Sequence, residues 1–95
     1  MKNREVFPGM EEAEKLALNA LRFLAADAHY WSGFETMSGI TPDAIAELAG
    51  ERGFLSGVLD YLMSDDSLML AFSGNAALPP EEVVRARQVL AGDVT

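Results

Sequence analysis

The sequence predicts an all-α protein, a compact bundle of five or six short helices with an internal two-fold repeat over about 21–50 and 59–88. Three observations predict it. Residues 21–50 lie over residues 59–88 without a gap, at an offset of 38. Leu21, Leu24, Asp27, Phe34 and Pro42 fall on the identical Leu59, Leu62, Asp65, Phe72 and Pro80. Identities number only five of the thirty positions, but they fall on core, cap and helix-start positions, as in one module written twice. Apolar residues recur three and four apart along most of the chain. No window of strict alternation is long enough for a strand.

The elements follow in order. Residues 1–9 read as a flexible arm closed by Pro8-Gly9, and residues 10–92 as a single helical domain. From Glu11 to Ala26, Ala13, Leu16, Ala17, Ala20, Leu21, Phe23 and Leu24 recur at helical spacing. Glu11, Glu12 and Glu14 lie at the start of that helix, where negative charge suits the helix dipole. Asp27 ends it and caps a second, shorter helix carrying Tyr30, Trp31, Phe34 and Met37, which Ser38-Gly39 stops. Thr41 then fits an N-cap and Pro42 the first helical position. Ile40 and Ile45 stand at hydrophobic-staple spacing, and Gly50 closes the third helix. The second copy repeats the order. Phe54, Leu55, Val58, Leu59 and Leu62 form a stripe. Asp65 or Asp66 caps a segment presenting Leu68, Met69, Leu70 and Phe72, and Asn75 to Ala77 connects. Leu78, Pro79 and Pro80 restart the chain, Val83, Ala86 and Leu90 line the last helix, and Gly92 ends it.

Composition bounds the function. Apolar residues make up 49% and charged residues 23%, an ordinary globular balance that can supply one modest core. Cysteine is absent, which removes disulfides, thiolate metal sites and cysteine nucleophiles and suits a reducing cytoplasm. No segment reads as a signal peptide or membrane span. Net charge is −8, and residues 27–66 hold eight acids against the single Arg52. Such a field repels phosphate backbones and attracts basic partners.

The stretches Leu21-x-Phe23-Leu24-Ala25-Ala26-Asp27, Gly39-Ile40-Thr41-Pro42 and Phe54-Leu55-x-x-Val58-Leu59-Asp60-Tyr61-Leu62 resemble the small bacterial proteins of domain-of-unknown-function family 3572. Leu70-Ala71-Phe72 through Leu78-Pro79-Pro80-Glu81-Glu82-Val83 fits as well, so the resemblance runs from about Ala13 to Leu90. Its landmarks are core and turn positions. It implies a single-domain, all-helical bacterial protein and carries no activity onto any residue.

Catalytic chemistry finds no foothold. His29 is the only histidine, and it follows the Asp27 cap with only carboxylates as co-donors, so it reads as a boundary residue. Asp60, Asp65 and Asp66 lack the alternation, mid-loop glycine and distal glutamate of a calcium loop. Ser32-Gly33, Ser56-Gly57 and Ser73-Gly74 have no strand before them to form a nucleophile elbow. The turn from Gly39 to Ala44 faintly resembles a helix-hairpin-helix turn. It has Thr41 where a second glycine would admit a phosphate, and its neighbourhood is acidic. We therefore expect no enzyme, no cofactor and no metal site.

What is left is a set of anchors and acids: Tyr30, Trp31 and Met69, with Asp27, Asp65 and Asp66. Aromatic and methionine side chains fill cores, and they also dominate binding hot spots. Trp31 and Met69 are equivalent positions of the two copies, so we expect them near the repeat axis in one patch rimmed by the acids. The function expected is a non-catalytic acidic helical module that binds a protein partner of basic character, or itself as a homodimer, in the cytoplasm. The alternatives are a nucleic-acid-associated protein using the 39–44 turn, which the charge disfavours, and a binder of a small apolar ligand between the copies.

Overall fold

The computed structural model describes residues 9–92, so the arm expected over 1–9 lies outside the described residues except for Gly9. Among these residues there are six helices: α1 Met10–Ala25, α2 Ala28–Ser38, α3 Pro42–Leu48, α4 Arg52–Met63, α5 Asp66–Ala76 and α6 Pro80–Ala91. There is no strand among them.

The long α1 forms because good helix formers fill it and its ends carry charge of the right sign. Glu11 and Glu12 lie in its first turn and Arg22 in its last. Its buried residues, Ala13, Ala17, Ala20, Leu21 and Leu24, make one continuous stripe. Three alanines in that stripe let neighbouring helices approach closely. On α4 the stripe is Leu55, Val58, Leu59 and Leu62, and on α6 it is Val83, Ala86 and Leu90. These three helices pack on one another and form the centre. Leu24, Leu59, Leu62 and Val83 are each 0% exposed, and each fully buried leucine is worth about 1.5–3 kcal/mol. Arg87 Nε donates to Asp60 Oδ1 at 2.7 Å, which ties the surface of α6 to that of α4.

The flanking helices are set by their caps. Asp27 Oδ1 accepts the amides of His29 at 2.9 Å and Tyr30 at 3.1 Å, and α2 then packs on α1. Asp65 Oδ1 accepts the amide of Leu68 at 3.1 Å, and α5 packs chiefly on α4, with smaller contacts to α1 and α6. Asp65, not Asp66, is the cap of α5, and Asp66 is its exposed first-turn residue.

Two local expectations need correction. Thr41 has the extended backbone of an N-cap, but its hydroxyl makes no cap hydrogen bond. The stretch Asn75–Ala77 is not a connector, because α5 runs through Ala76. Leu78 precedes Pro79 and is steered out of the helical region, so the stop falls one residue before it. Ala77 takes φ 58, ψ 44, and the Leu78 amide reaches back to the Ser73 carbonyl at 3.1 Å. A left-handed alanine costs roughly 1–2 kcal/mol. Leu78 packing against the core helps to offset it.

The helix boundaries keep the 38-residue register. The α2 and α5 bounds differ by that offset at both ends, as do the ends of α1 and α4 and the starts of α3 and α6. Packing departs from it at the third helix. The twelve-residue α6 packs on both α1 and α4, whereas the seven-residue α3 makes no comparable packing with any helix.

Candidate functional site

The six candidate residues are placed by the two caps. Asp27 and Asp65 spend one carboxylate oxygen on helix amides and keep their charge at the surface. One residue-turn later the chain turns Tyr30 and Trp31 inward on α2, and Leu68 and Met69 on α5. Tyr30, Trp31 and Met69 are all half-buried and packed against the core.

Behind them runs a seam of aromatic rings. Phe23 on α1 meets Phe72 on α5 edge to face, with centroids 5.5 Å apart. Tyr61 on α4 meets Phe34 on α2 the same way at 5.3 Å. Tyr61 is the 38-offset counterpart of Phe23, and Phe34 is that of Phe72, so the two contacts are reciprocal. Phe23 of residues 21–50 meets Phe72 of residues 59–88, and Tyr61 of the later stretch meets Phe34 of the earlier one. The seam extends through Phe23–Tyr30 at 5.3 Å, Trp31–Phe34 at 5.3 Å and Phe34–Phe54 at 6.4 Å. The counterparts differ at one atom: Tyr61 carries a hydroxyl that Phe23 lacks. A Cβ at Gly33 would stand 2.6 Å from that hydroxyl, so Gly33 makes room for it. Its counterpart Ala71 faces no such demand.

Two of the clefts beside the seam involve candidate residues. One, of about 340 Å³, lies where α2, α4 and the start of α5 meet, and His29, Tyr30, Tyr61 and Asp65 line it. The other, of about 400 Å³, is lined by Leu21, Ala25, Trp31 and Ile45, all apolar, from α1, α2 and α3. The structure thus brings Tyr30 and Asp65 together but turns Trp31 to a different cleft. Met69 lines neither, so neither of these clefts brings Trp31 and Met69 together. They sit on different helices, and α2 and α5 pack on the central helices in preference to each other. Asp66 stays on the surface.

Sequence reasoning missed Ala25, Ile45 and Tyr61 as site residues. The only signal for Tyr61 was its match to Phe23. Nothing marks Ala25 except that Met63 stands at its counterpart. Among the described residues, no three of His, Cys, Asp and Glu converge well enough to hold a metal ion, and His29 is exposed. No helix among them is long and apolar enough to cross a membrane.

In comparison with known families, the model of a family described as "Protein of unknown function (DUF3572)" fits residues 10–93. Neither a curated protein nor a solved structure matches the chain.

Proposed function

The chain belongs to the DUF3572 family, and on that premise we propose that it is a non-catalytic, acidic helical module that binds another protein, a second copy of itself included. One observation carries the reading. Trp31 is half-buried and lines an apolar cleft, in a part of the chain with acids and neither lysine nor arginine. From Phe23 to Glu51 the acids are Asp27, Glu35, Asp43, Glu47 and Glu51, and neither lysine nor arginine occurs. A part-exposed aromatic anchor inside a charged rim is the usual composition of a binding hot spot. The acids would steer a basic partner and speed its encounter. The lack of cysteine suits work in a reducing cytoplasm.

The test is affinity capture from the source cell beside sedimentation of the purified chain, each with Trp31→Ala as control. Association that Trp31→Ala weakens by more than about 1 kcal/mol, with the melting temperature kept within a few degrees, supports the reading. Association indifferent to Trp31, or none at all, refutes it.

A second reading has the same cleft in its favour. A 400 Å³ apolar space falls within the size of a small-ligand site. An added apolar mass in native mass spectrometry would support that reading. The turn over 39–44 is disfavoured for nucleic acid, because exposed Asp43 and Glu47 on α3 would face the phosphates.

A further inference from the structure

We propose that the cleft between α2, α4 and the start of α5 binds a guanidinium group. It is a different cleft from the one beside Trp31, and it stands or falls apart from the protein-interaction reading. Tyr61 lines it with a hydroxyl held in one place. The ring meets Phe34 edge to face at 5.3 Å, and the hydroxyl lies against α2 at Gly33, where a Cβ would come within 2.6 Å. A glycine inside a helix is destabilising, and here it gives that hydroxyl room. Yet the hydroxyl makes no hydrogen bond to any described residue. A fixed polar atom is left for an occupant of the cleft.

Other oxygens stand around it. Ser32 of α2 and Ser67 of α5 line the same cleft, and neither hydroxyl is paired among the described residues. Asp65 lines it as well. Its Oδ1 accepts the Leu68 amide at 3.1 Å, which leaves the second carboxylate oxygen.

Charge selects the sign of the occupant. No lysine or arginine lines the cleft, and Asp65 brings a carboxylate to it. A second carboxylate, that of Asp27, is hydrogen-bonded to the backbone of two lining residues, with Oδ1 on the amides of His29 at 2.9 Å and Tyr30 at 3.1 Å. An anion is repelled by this pair and a cation is drawn in. The volume, about 340 Å³, suits a small group on a short stem. Among organic cations guanidinium matches the lining best. Its N–H donors lie in one plane and reach a carboxylate and hydroxyl oxygens together, and it packs on aromatic rings, whereas ammonium is a compact and strongly hydrated charge. Tyr30, half-exposed with its ring tilted on Phe23, offers such a surface.

The probes are n-butylguanidinium and a capped tripeptide of alanine, arginine and alanine, with n-butylammonium and butyrate as controls. Each is titrated into the full chain and followed by amide magnetic-resonance shifts. The guanidinium probe should saturate with a Kd of about 1 mM or tighter, moving the amides of Gly33, Ser67 and Leu68. Butylammonium should bind at least about threefold more weakly, and butyrate not at all. Asp65→Asn is the informative variant. Asparagine caps a helix about as well as aspartate, so the melting temperature should hold while affinity falls at least about tenfold. Tyr61→Phe keeps the ring and should weaken binding at least about threefold, which gives a second variant should Asp65→Asn fail to fold. Asp66→Asn, an exposed acid that does not line the cleft, should leave affinity within about twofold.

Both sources of the group support the proposal. A tripeptide that binds at least as tightly as butylguanidinium assigns the cleft to an arginine side chain of a protein, and one that binds more weakly or not at all assigns it to a free small molecule. No saturation by either guanidinium probe overturns the proposal, as does equal binding of butylammonium or affinity unchanged in Asp65→Asn and Tyr61→Phe. Equal losses in Asp65→Asn and Asp66→Asn also overturn it, because the probe is then drawn to net charge and not to the cleft. None of these outcomes touches Trp31, so association through Trp31 is judged by its own test.

Discussion

The reciprocal aromatic contacts make a quantitative prediction at Gly33. This glycine sits mid-way along α2, where an alanine is ordinarily worth about 0.5–1 kcal/mol more than glycine. Here the new Cβ would stand 2.6 Å from the Tyr61 hydroxyl oxygen. That is well inside van der Waals contact, and the ring is held edge-on against Phe34 at 5.3 Å, so it must move as a unit. Overpacking of this kind costs about 1–3 kcal/mol. Gly33→Ala should therefore lose about 1 kcal/mol net, or about 4–8 °C in melting temperature for a domain of this size. With the hydroxyl removed, the next atom is the Tyr61 Cζ carbon at 4.0 Å, ordinary contact distance. In a Tyr61→Phe background, Gly33→Ala should then stabilise by about 0.5–1 kcal/mol. The coupling between the two sites should be about 1.5–2 kcal/mol, read from a double-mutant cycle by chemical denaturation. The protein already holds the relieved pairing in its other half, where Phe23 and Ala71 occupy the counterpart positions. A coupling below about 0.5 kcal/mol would refute the reciprocal packing, because then the ring and the glycine do not meet.

Further outcomes follow from burial and capping. Leu59→Ala or Leu62→Ala, each removing a side chain with no exposure, should cost about 2–5 kcal/mol by denaturant unfolding. Losses under about 0.5 kcal/mol would place the α4 stripe on the wrong face. Asp27→Ala and Asp65→Ala should each cost about 0.5–2 kcal/mol, with the loss of helical circular dichroism confined to one short helix. Ser73→Ala should be neutral or stabilising by up to about 1 kcal/mol, since the buried Ser73 hydroxyl has no hydrogen-bond partner among the described residues. A clear destabilisation there would reveal a partner for the hydroxyl.

Most helix boundaries were legible because their signals act within a single turn. Asp27 and Asp65 cap the residues that follow them, Pro42 and Pro80 start helices, and Gly39 and Gly92 stop them at φ 72 and 77. Where the reading slipped, a neighbour had prevailed: Pro79 acting on Leu78 forced Ala77 to turn, and α5 ran on through Gly74 and Asn75. The core stripes were legible for a related reason. A 3.6-residue period shows which face is apolar whatever comes to cover it.

The candidate site was legible only in part. Trp31 stood out by size, yet its surroundings depend on Ala25, a residue with no chemical signal, and on how far α3 extends over it. The sequence by itself determined the helices, their ends and their apolar faces, since each is decided by residues a few positions apart. Only the tertiary structure decided which apolar face is left open. Both third helices carry the apolar residues to cover the central pair, but α6 is the longer and packs along both α1 and α4. Ile45 on the shorter α3 lines the cleft beside Trp31, and that outcome rests on contacts between segments tens of residues apart, which no local pattern records.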